Sequence, residues 1–563
     1  MPVSMPFRRQ YAEIARAREI AEVLIKNGLG FVVEQLGLAR FLSVWRRRRV
    51  EGAASDASTL SVSERVRRTL EELGPTFIKI GQVLSGRADL LPAEYIRELT
   101  KLLDAAPPVP TQQIVACIEE ELGAPLTERF GSFEPQPIAS ASIGQVHRAT
   151  LSDGQKVVVK VQRPGVERMV MADLDLLARQ SRFLERRSTR ARESHLVEIV
   201  EELSQALRDE LDYTVEGRNA ARLRRNLSDD TRVIIPQVHW SHSTRRLLTM
   251  EALEGLKLTD VQRLRQERYD LPAVAEVMVD LYLHQVFVDG FFHADPHPAN
   301  IMVCDHRIGM VDFGMVGQLT PATRKSLGSL LLALLAQDSQ TVVRMILRMG
   351  AASRSTDPAA VERDVQRLLM RYYGLPLEVM PIGEVLQEVL TAAFKHHIHL
   401  PPDLALLVRM VIVLEGVALG LDPGFNLAEM AKPFGEHLLR ERFSWQRLQD
   451  EALQTVGTAS RLMQDLPQRA ESLMERLGDG AVTLGIDLRQ LTRIIAKFDS
   501  MVSRLAFSVV VAALIVGSAV VIHGGATEWN FLGLSLPIAH LSFVLAVVMG
   551  AWLLMSIVRS RGP

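Results

Sequence analysis

With 563 residues, 47% of them hydrophobic, the chain has apolar material for roughly two to four domains and an ample core. A net charge of −1 gives a nucleic-acid partner no global electrostatic support, so none is expected. Only Cys117 and Cys304 are present, with no CxxC or metal spacing, so disulfides are not expected and a reducing compartment fits.

Arg8 and Arg9 precede no continuous apolar run, so no signal peptide is read at the amino terminus. Residues 11–38 mix apolar and charged residues at helical spacing, with Ile14, Ala21, Ile25 and Val32 on one side. Arg46-Arg47-Arg48-Arg49 follows, and then a small-residue linker, Glu51–Thr59. This basic segment suits anionic lipid and suits equally a solvated charge run beside a packed helix.

Gly74-Pro75 signals a helix start. Phe77, Ile80 and Leu84 then share a face, while Lys79 and Gln82 are three apart and point together elsewhere. Alone, such a pair reads as surface polar residues. Pro107–Pro110 marks a boundary before a helix around 111–122. Pro137–Ala149 reads as strand–turn–strand, and Gln155–Val161 as a strand entering from the turn Asp153-Gly154. Kinases close a GxGxxGxV loop over the nucleotide phosphates and reach them with a strand lysine. Here Ala139, Ala141, Gly144 and Val146 occupy the loop spacing, around Ser142, and Lys160 ends Val-Val-Val-Lys. Two alanines in place of glycine restrict close backbone approach, so this loop should cradle phosphates differently.

A helical region follows, and its segment 195–226 carries Glu210-Leu211-Asp212 and Glu216. Acidic helix residues are usually solvated, but a kinase needs a helix Glu to pair with its strand lysine. Ile234–Trp240 and Arg246–Met250 read as strands, with Leu248–Glu251 leading to a hinge, and 272–290 as a helix.

Asp289–Gly317 carries the chemistry. Asn300 follows Asp295 by five residues, and Asp312-Phe313-Gly314 comes twelve residues later. In phosphoryl transfer one Asp orients or deprotonates the attacking hydroxyl, while the Asn and the DFG Asp hold magnesium. Ile301–Val303 and Ile308–Val311 read as strands that would bring Asn300 and Asp312 together. Other readings stand beside this one. DFG arises by chance in turns, His293, Asp295 and His297 alternate like hydrolase metal ligands, and His297 between two prolines suits a structural loop.

From 320 to about 500 the pattern is helical, including the very apolar Leu404–Leu421. Leu505–Ile522 and Ile538–Val558 then run eighteen and twenty-one residues without Asp, Glu, Lys or Arg. Each is long enough to span a bilayer core of ~30 Å. Arg493, Lys497 and Arg504 precede the pair, Arg559 and Arg561 follow it, and the positive-inside rule sets both ends in the cytoplasm.

Together these residues resemble the UbiB family of atypical kinase-like proteins of ubiquinone biosynthesis, the aarF-domain proteins, over roughly residues 70–425. Lys79-Ile80-Gly81-Gln82 matches its KxGQ motif, and the Ala-rich loop 139–146, Lys160, Glu210-Leu211-Asp212 with Glu216, Asp295…Asn300 and Asp312-Phe313-Gly314 match the rest. Gly86, Ala88 and Ala299 depart from the family pattern at positions where Thr, Pro and Gly are usual. The resemblance implies that Lys160 contacts the phosphates and pairs with Glu216. It sets Asp295 at the catalytic-base position and Asn300 and Asp312 on Mg2+, with Ala139, Ala141, Ser142, Gly144 and Val146 around ATP. Lys79 and Gln82 would ride a helix laid over the peptide site, held by Glu210 and Asp212.

The expected fold is α+β, a two-lobed kinase-like structure with an N-terminal helical extension and a C-terminal transmembrane hairpin. Its segments are 1–60, basic and helical; 61–130, the KxGQ extension; 131–255 and 256–430, the two lobes; 431–500, a helical linker; and 501–563, the hairpin. The expected activity is that of an inner-membrane, multi-pass ATPase with its kinase-like part in the cytoplasm. Membrane lipid and polyprenyl quinone precursors or quinone-biosynthesis enzymes are the expected partners, and a homodimer is compatible. A true phosphotransferase and a nucleotide-switched scaffold are the alternatives.

Overall fold

The computed structural model describes residues 5–36, 38, 60–85, 87, 90–102, 106–193, 195–335, 338–349, 351–352, 357–371, 382–396, 398–399, 401–442, 529–531 and 534–536. Contacts divide the chain into two units, Met1–Arg447 and Leu448–Pro563.

The first unit begins with a helical extension: α1 (Met5–Lys26), α2 (Val62–Leu73), α3 (Pro75–Ser85) and α4 (Ala93–Leu99). Along α1 the buried stripe is Ala17, Ile20, Ala21, Leu24 and Ile25, whereas Ile14 is 49% exposed and lies off the face predicted for it. A capping box starts α2: Glu64 N donates to Ser61 Oγ, and Ser61 N donates to Glu64 Oε2 at 2.8 Å. At Gly81 of α3 an added Cβ would stand 2.3 Å from Leu102 and 2.9 Å from Leu70, so glycine here permits α3 to lie against its neighbours.

The smaller lobe follows, with α5 (Thr111–Leu122), β1 (Phe130–Phe133), β2 (Ala139–Ser140), β3 (Gly144–Leu151) and β4 (Lys156–Gln162). Next come α6 (Val166–Arg187), α7 (Leu196–Glu210), α8 (Tyr213–Asn226), β5 (Val233–Ile234) and β6 (Leu247–Glu251). One sheet runs in the order β1-β3-β4-β6, with β2 hairpinned onto β3. Alternation along β4 buries Val157, Val159 and Val161 against the α5 side and turns Lys160 to the opposite face. The segment 195–226 is two helices, because the chain breaks at Leu211-Asp212. Ile234–Trp240 is not a strand beyond Ile234; Trp240 opens a single 3₁₀ turn.

The extension shares its core with α6 and α7, through Phe77, Ile80, Leu174 and Leu207 among others. Arg16 fastens it from inside. Its guanidinium donates to both oxygens of fully buried Asp173 at 2.7 and 3.0 Å and to the Leu73 carbonyl at 2.7 Å.

The larger lobe contains β7 (Leu256–Lys257), α9 (Leu271–His284), β8 (Phe291–His293), β9 (Ile301–Cys304), β10 (Arg307–Met310) and β11 (Val316–Gln318). Helices α10 (Pro321–Leu335), α11 (Ser339–Met349), α12 (Pro358–Arg371), α13 (Ile382–Lys395), α14 (Pro402–Leu421) and α15 (Leu427–Arg442) complete it. A short pairing of Ala351-Ala352 with Ile398-His399 interrupts what the sequence reads as purely helical. Residues 271–289 and α14 are apolar and long enough to cross a membrane. Both belong to the lobe's core, where Met278, Val279, Tyr282, Met410, Leu414 and Ala418 are fully buried. The predicted spans 505–522 and 538–558, the arginine run at 46–49 and the linker 51–59 lie outside the described residues. Of the second unit, the described part is an antiparallel pairing of Trp529–Phe531 with Leu534–Leu536, between the two predicted spans.

Candidate active site

Strand β4 presents Lys160, and α8 presents Glu216 to it. The ammonium donates to Oε1 and Oε2 at 2.9 and 2.8 Å, with Glu216 only 6% exposed. Their approach depends on how α8 begins. Gln162 of β4 donates from Nε2 to the Leu211 carbonyl at 2.5 Å, and Tyr213 N donates to the Arg245 carbonyl at 2.9 Å. The Asp212 carboxylate caps α8 by accepting from Thr214 N at 3.0 Å. The resemblance implies that Asp212 holds the KxGQ helix. Its carboxylate instead sets the start of the helix that carries Glu216.

Burial opposes the Lys160 charge, yet Asp312 and Glu216 raise the ammonium well above the ordinary lysine value. The same ammonium, with Lys79 adding to it, overcomes burial to hold Asp312 below the usual carboxylate range. Burial pushes Glu216 upward while Lys160 opposes the shift. The ammonium is therefore the charge around which both carboxylates are arranged.

In the larger lobe, β9 and β10 pair with Ile301 opposite Met310, and Val311 N donates to the Asn300 carbonyl at 3.0 Å. Asn300 and the DFG segment are thus brought together. The Asn300 amide donates from Nδ2 to Asp295 Oδ2 at 2.8 Å. Asp312 adopts φ of 64°, a left-handed conformation that Asp tolerates better than most residues, and its Oδ1 accepts from Gly314 N at 3.2 Å.

His293 joins these pieces. It is fully buried; its Nε2 donates to the Asp312 carbonyl at 2.8 Å, and its Nδ1 accepts from Tyr282 Oη at 3.2 Å and Asp295 N at 3.4 Å. Gln285 Oε1 accepts from His293 N at 2.9 Å, and the Phe313 ring meets the imidazole edge-on at 5.7 Å. With both nitrogens engaged, His293 is no metal ligand. His297 Nδ1 accepts from Ala299 N at 3.2 Å and caps the turn over Pro298–Asn300, which is the structural role. The hydrolase-type reading of the alternating triplet thereby loses His293, and among the described residues no group of three or more His, Cys, Asp or Glu side chains is placed to hold a metal ion. Across the lobes, Asn219 of α8 donates from Nδ2 to the Phe313 carbonyl at 3.0 Å. The helix bearing Glu216 thereby grips the DFG segment.

The Ala-rich loop is a tight hairpin in which Ala139 pairs with Val146 and Ala141 N donates to the Gly144 carbonyl at 2.8 Å. Ser142 at its turn is 1% exposed. Arg163 holds the hairpin from behind, donating to the Ala141 carbonyl and to Ser140 Oγ, each at 2.8 Å. Val109 N donates to Gln145 Oε1 and ties the loop to the chain before α5.

Lys79 is not a surface residue. Its Nζ meets Glu210 Oε1 at 2.8 Å with its side chain 16% exposed. Glu210 Oε2 in turn lies 3.9 Å from where a Cβ on Gly314 would stand. Gln82 does not accompany it; its Nε2 reaches the Leu102 carbonyl at 3.3 Å and holds α3 to its own extension. The two polar residues serve different partners, so the expectation that they project together is corrected.

A magnesium nucleotide fits this chain's residues. Hard oxygen donors at Asn300 and Asp312 suit magnesium, which is bound through one or two protein oxygens plus phosphates. Lys160 offers a fixed ammonium beside them, and a buried hydroxyl on Tyr213 has no partner among the described residues. The sequence pointed to the charged residues by their spacing. It did not single out Gln285, Asn219 or Arg163, whose bonds join distant segments, and it offered His293 only as a metal ligand.

Comparison with known proteins gives a consistent picture. Family models match at residues 101–346 for the ABC1 atypical kinase-like domain, 365–426 for the UbiB helical domain and 489–559 for the ABC1/UbiB kinase-like C-terminal domain. An uncharacterized protein of Synechocystis sp. is 34% identical over 77% of this chain and 75% of its own. A Marinobacter nauticus protein named probable protein kinase UbiB is 37% identical, covering 68% of this chain and 71% of its own. A Mycobacterium tuberculosis protein solved in complex with erythromycin is 29% identical, with a TM-score of 0.46 over 67% of this chain and 93% of that one.

Proposed function

The chain belongs to the UbiB family of ABC1 atypical kinase-like proteins, and from that premise we propose that it is a membrane-anchored, magnesium-dependent ATPase supporting ubiquinone or related isoprenoid-quinone biosynthesis. The observation that carries the reading is the cluster of Lys160, Glu216 and Asp312 beside Asp295 and Asn300, with Lys79 paired to Glu210 at its edge. In this reading Lys160, held in place by Glu216, would contact the α and β phosphates. Asn300 and Asp312 would present oxygens to magnesium, which when bound would supply charge neutralisation at the phosphates. Asp295 stands where a kinase has its base, fixed through Asn300 and His293. The ribbon from Ala139 to Val146 would cover the nucleotide, with alanines limiting how closely its amides could approach.

The Lys79–Glu210 pair supports hydrolysis over transfer to a protein hydroxyl, because it holds the KxGQ helix near the DFG glycine, where the family resemblance implies that a peptide would otherwise bind. Deleting the protein should lower the quinone and accumulate a prenylated precursor, as read by mass-spectrometric quinone profiling. An unchanged profile would remove the biosynthetic role. Purified protein in lipid vesicles should release ADP without a matching phosphorylated product, and a stoichiometric phosphoproduct would establish the phosphotransferase alternative instead.

Residues 501–563 form the proposed anchor, with the kinase-like part in the cytoplasm. The support is the placement of Arg493, Lys497, Arg504, Arg559 and Arg561 around two stretches without Asp, Glu, Lys or Arg. A cysteine at Thr527→Cys should react with an impermeant maleimide applied to the outer side of the inner membrane. Labelling only from the cytoplasmic side would reverse this topology.

A further inference from the structure

Tyr213 opens α8 one turn before Glu216, and the Lys160 ammonium stands 5.2 Å from the centre of its ring. The residue is 1% exposed, yet its hydroxyl has no hydrogen-bond partner among the described residues. That oxygen faces the turn of the Ala-rich hairpin: a Cβ on Gly144 would stand 2.2 Å from it and 2.8 Å from the Val161 carbonyl. Glycine at 144 therefore makes room for the phenol. Buried polar groups are nearly always paired, and an orphaned donor costs stability, so its retention here calls for an acceptor that arrives later.

The surroundings identify that acceptor. Beside Lys160 and beneath the hairpin, the group to be held is a nucleotide phosphate oxygen. The two alanines keep the hairpin's amides back, so a donor from below would take over part of their work. Burial also raises the phenol above the ordinary tyrosine value, which keeps it protonated and able to donate. We infer that the Tyr213 hydroxyl donates to a phosphate oxygen of the bound nucleotide, directly or through one water. This rests on the nucleotide reading given above.

The test is Tyr213→Phe in the full-length protein, which removes one oxygen and keeps the ring beneath Lys160. Without nucleotide the variant should melt higher by roughly 1–3 °C, since it loses an unsatisfied buried group. Its affinity for Mg-ADP by calorimetry should fall roughly tenfold, the size of one hydrogen bond to a charged acceptor. Adenosine, which has no phosphate, should bind both proteins equally. Wild-type binding of Mg-ADP with unchanged affinity in the variant overturns this inference alone. A lower melting point without nucleotide, or an equal loss of adenosine affinity, overturns it too, because the hydroxyl would then be supporting the fold. Wild-type protein that binds no Mg-ADP would overturn the nucleotide reading and this inference with it.

Discussion

Lys160→Met should abolish the stabilisation that Mg-ATP gives and lower the intrinsic stability of the first unit by on the order of 3 kcal/mol. The reason is electrostatic. Removing the ammonium leaves Glu216, 6% exposed, without the partner it holds at 2.8 Å, whereas Asp312 is exposed to solvent and adds little to that cost. Lys160→Met with Glu216→Gln should recover much of the stability and none of the nucleotide binding, which separates the structural cost from the functional one. Thermal denaturation with and without Mg-ATP is the measurement. A Lys160→Met protein as stable as wild type would mean that the cluster is not held by this charge.

Acid pH offers a second reading of the same cluster. Lys160 lowers the folded-state pKa of Asp312, so Asp312 contributes stability that is present above the ordinary aspartate range and lost as pH falls through its folded value. Lys160 itself is raised, so its contribution is present below the ordinary lysine value and lost only as pH rises through the folded one. Glu216 is shifted upward by burial and contributes in the opposite sense to Asp312, in part cancelling it on the acid side. Asp312→Asn isolates the aspartate, because Asn also accepts the left-handed backbone at φ of 64°. That variant should lose the magnesium dependence of nucleotide binding while keeping the Lys160–Glu216 pair.

The second large effect is expected at Lys79, and there it should be kinetic. The pair with Glu210 is partly exposed, at 16% and 28% for the two side chains, so its loss should cost no more than about 1 kcal/mol of stability. ATP hydrolysis in lipid vesicles should nevertheless change several-fold in Lys79→Ala. One positive charge that helps set the acidity of Asp312 disappears, and Glu210 is freed beside the DFG glycine. Glu210→Gln should shift the rate as well, and the double variant should fall short of the sum of the two single effects, as expected of groups that act through one contact. Arg97→Ala, in α4 outside the motif, is the control. Hydrolysis rates indistinguishable between Lys79→Ala and Arg97→Ala would reduce the motif lysine to a surface cation.

How much of the site is legible in the sequence follows from the range of each interaction. Asp295, Asn300 and Asp312 are separated by a turn and a hairpin, and local hydrogen bonds fold such a segment, so spacing alone brings them together. The valines of β4 fix which face Lys160 occupies for the same reason, since side chains alternate along a strand. Lys160 and Glu216 lie 56 residues apart, and their pairing is implied by family resemblance; the distance comes from the fold. Nothing periodic marks His293 as the hub of the larger lobe, because its partners come from three places in the chain: Tyr282 and Gln285 on one helical turn, Asp295 two residues after the histidine, and Asp312 beyond the hairpin. Lys79 reads as a surface residue by spacing, and it is the packing of α3 against α7, helices far apart in sequence, that gives it a partner. The sequence by itself determined which residues bear charge and which short segments present them, since those follow from residue type and backbone periodicity. Only the tertiary structure decided which charges neutralise one another and which buried hydroxyl is left without a partner, because burial and pairing depend on what the rest of the chain brings alongside.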